Sequence, residues 1–390
     1  MSLTKKVFLI GIVLAVFGAG FWFGRNSVVC PVCPPEELDF SLFWEAWHKI
    51  ERKYIEQENI KTQDLIYGAI SGMVRSLGDP YTTFFKPEET KMFLEDVSGR
   101  FEGIGIEIDV REGQLQVITP LEGTPAQKAG LRPGDKIIKI DERVTADITI
   151  EEAVTLIRGP KGTEVNLMIV RDGWDTPRDF KIKRGVIEIP SFKWELKDDD
   201  IAYIKLYHFS EKINYDFSNA AIDILKSPAK KIILDLRSNP GGYLQRSQDI
   251  AGWFLEKSDI VVIEDFGGKQ EQKIYKANGN AKFLGYPMVI LINQGTASAS
   301  EILASALQEN RGIKLIGETS FGKGSVQELE RLTEGSSLKI TIGKWLTPKG
   351  NLIAEKGLEP DIKVEITDED YEQGRDPQLD KALEIIREMD

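Results

Sequence analysis

From Val7 to Gly24 the chain carries no charged side chain. As a helix this run would extend about 27 Å, close to the hydrocarbon thickness of a bilayer. Lys5 and Lys6 precede it and Arg25 follows it, which favours an N-terminus kept on the cytoplasmic side. An uncleaved anchor and a cleaved signal peptide both fit. Gly18-Ala19-Gly20 offers small residues for cleavage, whereas the length and aromatic outer end of the run favour the anchor. Either way, the rest of the chain is expected to fold outside the cytoplasm. A buried core helix does not suit a chain end flanked by basic residues.

Beyond the run, Cys30-Pro31-Val32-Cys33 leads into Pro34 and Pro35 and marks a linker over residues 26–39. A CxxC pair can serve redox chemistry or half a metal site. Here no strand–helix pattern surrounds it and the chain has no other Cys, so a stalk disulfide, within or between chains, is the expectation. The whole sequence has two His, which restricts any Ser-His-Asp triad to His48 or His208. It has 50 Lys and Arg against 62 Asp and Glu, a formal net charge of −12. That balance argues against a nucleic-acid binder, whose affinity rests on neutralising phosphates. At 390 residues about two or three domains are expected.

Residues 40–99 read as a helical region, with Phe43, Trp47 and Ile50 at helical spacing. Leu77-Gly78-Asp79-Pro80-Tyr81 interrupts it with a turn. His48 lies in the first helix among tryptophans and reads as a packing or surface histidine. Residues 100–186 read as a compact β-rich module of five short strands. Its one good helix starts at a Thr149/Glu152 capping box, followed by Ile150, Ala153, Val154 and Ile157 on one face. Residues 187–390 alternate strands such as Lys231–Leu236 and Met288–Ile292 with helices such as Ser300–Asn310. The fold class expected is therefore α/β and multidomain.

Two segments of the last region carry chemistry. In Thr296-Ala297-Ser298-Ala299-Ser300-Glu301 an apolar strand ends in small residues and enters a helix. A side chain there is exposed near a helix N-terminus, which suits a nucleophile. The same letters also spell S-x-x-E, an ordinary helix cap. In Phe321-Gly322-Lys323-Gly324-Ser325-Val326-Gln327 a lysine stands between glycines. It reads either as a solvated loop charge or as a functional amine; the GxxxxGK[ST] phosphate loop is not matched.

Residues 100–186 resemble a PDZ domain. Phe101-Glu102-Gly103-Ile104-Gly105-Ile106 is similar to the carboxylate-binding loop and its strand, and Thr124–Asp135 is similar to the segment common in bacterial PDZ modules. The resemblance implies that Gly103, Ile104, Gly105 and Ile106 receive a peptide C-terminus, which then pairs beside the helix at 150–158.

The chain from about Phe40 onward resembles the serine–lysine carboxyl-terminal processing, or tail-specific, proteases. Leu77–Thr82, Asp235-Leu236-Arg237-Ser238-Asn239-Pro240-Gly241-Gly242, the Ser298 and Lys323 segments, Thr347-Pro348-Lys349-Gly350 and Gly357–Asp361 carry the resemblance by their order and spacing. It implies an α/β (crotonase/ClpP-like) peptidase core behind a transmembrane helix, helical arm and PDZ domain. By the same resemblance Ser298 is the nucleophile, Lys323 the general base and Gln327 the residue orienting it, with Ser300 the competing serine. Thr296 stands where many relatives have Ser. Ala299 and one of Gly241 or Gly242, with Gly241 ahead, would supply the oxyanion hole. Phe321 would help keep water from the lysine. His208 would be structural or substrate-adjacent.

No metal or cofactor is expected. The partners expected are protein or peptide substrates with exposed C-termini, the membrane and a homodimer formed through the N-terminal helices. The PDZ domain is expected either to deliver substrate or to block the site until a peptide displaces it. The rival readings are an inactive PDZ scaffold that binds exported tails and a crotonase-like acyl enzyme.

Overall fold

The computed structural model describes Phe17 and residues 38–389, apart from positions 112, 122, 147, 172, 189, 199, 354 and 355. The uncharged N-terminal run and the Cys30/Cys33 pair lie outside the described residues. Among the described residues no helix is long and apolar enough to cross a membrane.

The chain divides into two compact units, one ending at Gly68 and one starting at Ala69. In the first, α1 spans Ser41–Lys53. Phe43, Trp44 and Trp47 form a ladder of ring contacts along it, at 5.2 to 6.2 Å between centroids. None of its residues is buried. His48 is exposed, with Nδ1 at 2.7 Å from the Trp44 carbonyl. Helix α2, Thr62–Arg75, begins in this unit and runs into the next.

In the second unit β1 (Thr83–Phe85) and α3 (Pro87–Ser98) come first. The β-rich module follows: β2 (Arg100–Gly103), β3 (Ile106–Arg111), β4 (Gln114–Pro120), the short α4 (Pro125–Lys128), β5 (Lys136–Ile140), β6 (Arg143–Val144), α5 (Ile150–Ile157), β7 (Glu164–Val170), β8 (Arg178–Lys183) and β9 (Gly185–Glu188). The main sheet runs β3-β4-β5-β7-β8, with β6 on β5. Alternate residues Val165, Leu167 and Ile169 of β7 are fully buried against Ala153 and Ile157 of α5, as period-two patterning requires. Thr149 and Glu152 close the capping box on α5, each side chain to the other's backbone N–H at 3.2 Å. Entering and leaving strands β2 and β9 pair antiparallel, Arg100 with Glu188 through Gly103 with Gly185, and form the neck of the module.

The remaining elements are β10 (Phe192–Lys197), β11 (Ile201–Leu206), α6 (Ile213–Lys226), β12 (Lys231–Asp235), α7 (Leu244–Ala251), β13 (Ile260–Asp265), β14 (Lys273–Lys276), β15 (Met288–Ile292), α8 (Ala299–Arg311), β16 (Lys314–Gly317), β17 (Ser325–Arg331), β18 (Ser337–Leu346), β19 (Ile362–Lys363), α9 (Asp368–Gln373) and α10 (Pro377–Glu388). The central sheet is ordered β10-β11-β12-β15-β16-β19 and is parallel from β11 onward. Met288, Ile290 and Ile292 of β15 pack into the cluster containing Phe217, Ile250 and Leu303 of α6, α7 and α8. Val289 and Leu291 face Ala382 and Ile386 of α10. Both faces are covered, which explains the unbroken apolar run in sequence. Because β12 and β15 are parallel neighbours, the turns after them emerge side by side at their C-terminal ends, where open α/β sheets carry their sites. A second, antiparallel sheet is ordered β1-β18-β13-β14, with β17 on β18.

Candidate active site

The turn after β15 and the turn after β12 are stitched together before any functional group is reached. Asn293 Oδ1 accepts the N–H of Ser238 at 2.7 Å and of Gly295 at 3.0 Å. Thr296 Oγ1 donates to the Leu236 carbonyl at 2.9 Å. The Asn239 carbonyl accepts from Ala297 N and from Ser300 Oγ, both at 3.0 Å. Ser300 is therefore fully buried and spent on structure, whereas Ser298 is partly open.

Ser298 occupies φ 56°, ψ −117° immediately before α8. Such a conformation is sparsely populated for a residue with a Cβ and costs about 1–3 kcal/mol. The stitched turns impose it, and it turns the hydroxyl out at the helix N-terminus. Gly241, at φ 101°, lies against it; a Cβ there would stand 2.8 Å from Ser298 Cβ and 3.0 Å from Ala299 N. Among the described residues the Ala299 N–H has no acceptor, as befits the first turn of a helix. The Gly241 N–H donates to Asn239 Oδ1 at 3.0 Å, while the Gly242 N–H has no acceptor among the described residues. Gly241 supplies the close approach to Ser298, and of the two glycines Gly242 has the N–H without an acceptor among the described residues.

Glu301 is the residue whose place sequence reasoning missed. Its carboxylate is fully buried and gathers four donors: Ser298 N at 2.8 Å, Ser320 Oγ at 2.5 Å, Gly322 N at 2.7 Å and Lys323 N at 3.0 Å. Burial pushes its pKa up, against these hydrogen bonds. The S-x-x-E pattern identified it as a helix cap. Its second set of donors comes from a loop after β16, which local spacing does not reveal.

Lys323 is held by its backbone while its side chain is half-buried. Burial pushes its ammonium pKa down, opposed by the Glu301 charge. Nζ stands 6.0 Å from the Tyr81 ring centroid. Among the described residues Nζ has no hydrogen-bond or ion-pair partner, and no hydrogen bond joins it to Ser298. Gln327 donates from Nε2 to the Tyr81 carbonyl at 2.9 Å, which leaves its Oε1 as the remaining acceptor. Phe321 is 58% exposed. His208 is half-buried, and its buried Nδ1 lacks a partner among the described residues; its pKa is lowered by desolvation, and Gly99 lies beside it.

In the β-rich module, the Ile104 carbonyl accepts from Ala126 N at 2.9 Å, and the Gly105 carbonyl from Leu121 N at 3.0 Å and Thr124 Oγ1 at 3.1 Å. The N–H groups of Ile104 and Gly105 have no acceptor among the described residues. They border a cleft of about 60 Å³ between β3 and α5, lined by Ile106, Ile108, Val154, Ile157 and Arg158. Gly105 is obligatory at φ 77°: a Cβ would meet Thr124 Cγ2 at 2.5 Å. Arg158, which sequence reasoning passed over, lies 4.3 Å over the Phe101 ring and bonds Asp96 at 2.6 Å.

Residues 200–364 match the model of peptidase family S41, residues 116–171 a PDZ domain, and residues 35–90 the N-terminal domain of activating protease CtpB. Carboxy-terminal processing protease CtpA of Bacillus subtilis is 38% identical over 94% of this chain and 79% of its own length. The chain belongs to the carboxy-terminal processing protease family. CtpB of the same organism is 36% identical over 87% of this chain and 70% of its own. Among solved structures, the photosystem II D1 C-terminal processing protease superposes with a TM-score of 0.55 at 26% identity, over 83% of this chain and 92% of that one. The protein is a serine-type peptidase with a PDZ domain and a mixed α/β fold. The inactive-scaffold reading is not favoured.

Proposed function

We propose that this processing protease is a membrane-anchored endopeptidase working outside the cytoplasm. Its PDZ domain receives the C-terminus of a substrate through Gly103, Ile104, Gly105 and Ile106, and a Ser298–Lys323 dyad cuts the chain. The organisation proposed is an anchor over 1–25, a linker over 26–39, a helical arm over 40–99, the PDZ domain over 100–186 and the catalytic core over 187–390. The charge-free run at Val7–Gly24 supports the anchor. The exposed Phe43 and Trp44 of α1 support a homodimer through the helical arm, to be checked by light scattering of the full chain.

The observation that carries the dyad is the Glu301 carboxylate, which binds the backbone of both Ser298 and Lys323. In the proposed reaction neutral Lys323 Nζ takes the Ser298 proton as Oγ attacks the scissile carbonyl. The oxyanion meets the Ala299 and Gly242 N–H groups. The lysine then gives its proton to the leaving amine, and a water deprotonated by Lys323 releases the acyl group as a carboxylate. Gln327 Oε1 accepts from the amine without adding a charge that would keep it protonated. No metal or cofactor enters these steps.

The test is to incubate wild type, Ser298→Ala and Lys323→Ala with tagged proteins that differ only in their last residues, and to map the products by mass spectrometry. Cleavage by wild type alone, graded by tail sequence, is expected. Turnover by either variant would overturn the dyad.

A further inference from the structure

The turn at Leu77–Thr82 reaches Lys323 through Tyr81 and is closed by one carboxylate. Asp79 Oδ1 accepts the Tyr81 N–H at 3.0 Å, and Oδ2 accepts the Thr82 hydroxyl at 2.6 Å. Pro80 between them has no N–H of its own, so Asp79 bonds the backbone two residues on in an Asx turn. Thr82 is buried, and its Oγ1 accepts from the Thr341 N–H of β18 at 3.1 Å. The carboxylate thus fastens the turn to β18 through Thr82. Tyr81, held between Asp79 and Thr82, faces two groups of the site. Its carbonyl accepts from Gln327 Nε2 at 2.9 Å, and its ring centroid lies 6.0 Å from Lys323 Nζ. Thr341 is also the register partner of Gln327, so one residue of β18 anchors both ends of the Tyr81–Gln327 bond.

We propose that Asp79 is a positioning residue for Lys323, acting through Tyr81 and Gln327. The proposal rests on reading Lys323 as the base and Gln327 as the residue that orients it. A glutamine amide has a donor end and an acceptor end that fit the same space. A carbonyl only accepts, so the Tyr81 carbonyl selects the NH2 end of Gln327 and leaves Oε1 for the lysine amine. With the turn loosened, the amide can rotate and set its NH2 against the lone pair that must take the Ser298 proton.

Asp79 bonds Tyr81 and Thr82, and among the described residues it makes no hydrogen bond to Lys323 or Gln327. Its effect on the base is therefore indirect, and that distinguishes it from a residue that only stabilises the fold. A purely structural role lowers kcat by the same factor whether or not Gln327 is present. A role through Gln327 does not, because residues that act as one unit are not additive.

The test is a double-mutant cycle on a fluorogenic peptide, with kcat and KM measured for wild type, Asp79→Ala, Gln327→Ala and the double variant. Asp79→Ala is expected to lower kcat about tenfold, with KM unchanged within about twofold. In the Gln327→Ala background the same substitution is expected to change kcat by less than about twofold. Asp79→Asn loses the charge but keeps Oδ1 for the Tyr81 N–H, and is expected to stay within about threefold of wild type. Thr82→Val, which removes the hydroxyl between Asp79 and β18, replaces Asp79→Ala should the latter fail to fold by circular dichroism. Wild-type kcat in Asp79→Ala or in Gln327→Ala overturns the proposal. So does an equal loss in both backgrounds, or an Asp79→Asn variant as slow as Asp79→Ala. Ser298→Ala and Lys323→Ala run beside them: turnover in either overturns the dyad itself, whereas dead dyad variants with an additive cycle overturn only the role of Asp79.

Discussion

The backbone N–H of Ser298 and that of Lys323 end on the same carboxylate oxygen, Glu301 Oε2, at 2.8 and 3.0 Å. One buried side chain thus sets the separation of two loops that follow different strands. A glutamine at 301 keeps the volume but turns an NH2 toward two of the four donors. Glu301→Gln is expected to lower kcat at least 100-fold with KM little changed, and to cost about 1–3 kcal/mol in urea unfolding. Wild-type kcat in a folded variant would remove Glu301 from the site.

Gly241 faces Ser298 with no space for a methyl group and at φ 101°. Gly241→Ala must displace the Ser298 elbow or the Ala299 N–H. An activity loss of at least 100-fold is expected, together with about 1–3 kcal/mol of destabilisation. Peptidase assays and thermal melts read the two effects separately.

The pH profile follows from the direction of the Lys323 shift. In the proposed dyad only the neutral amine can accept the Ser298 proton, and burial lowers its pKa. Activity is therefore absent where the amine is charged and rises as pH climbs through the lowered value, levelling off below the range of an exposed lysine. A profile that falls over that same interval would contradict Lys323 as the base.

The proposed peptide capture by the loop at 103–106 requires the backbone geometry that Gly105 adopts at φ 77°, where a Cβ would meet Thr124. Gly105→Val in a Ser298→Ala background is expected to weaken binding of a C-terminal peptide at least tenfold by calorimetry, and amidating the peptide carboxylate should do the same to the parent protein. Equal binding of the free-acid and amidated peptides would remove the carboxylate role. Deleting residues 100–186 separates gating from delivery: activity on an unstructured substrate rises if the PDZ domain blocks the site and falls if it delivers substrate.

Arg237 ties the glycine turn to the last helix. It bonds Asp235 at 2.7 and 3.0 Å, Asp376 at 2.7 and 2.8 Å and Gln378 at 3.1 Å. Asp235 also accepts from the Tyr203 hydroxyl at 2.6 Å. Arg237→Ala strands a fully buried carboxylate and is expected to cost about 3–5 kcal/mol, read by chemical unfolding. A cost within the range of ordinary surface substitutions would show that the network contributes little.

Much of this was legible in the sequence because it is local. Small residues between the buried strand β15 and the helix α8 made the turn at Ser298 readable. Thr149 and Glu152 are three residues apart and capped α5 as expected. Glycines that must bend the chain identified the turn at 241–242 and the loop at 103–105. Other features needed the tertiary fold, because their partners lie far apart in the chain. Gln327 meets Tyr81 only when β17 and β1 both pair with β18. That Asn239 Oδ1 takes the Gly241 N–H was likewise visible only in the folded turn. Residue type and spacing determined which groups were present and which turns they made. Strand pairing decided which of those groups share one low-dielectric space, since hydrogen bonds and charge coupling depend on distance in space rather than along the chain.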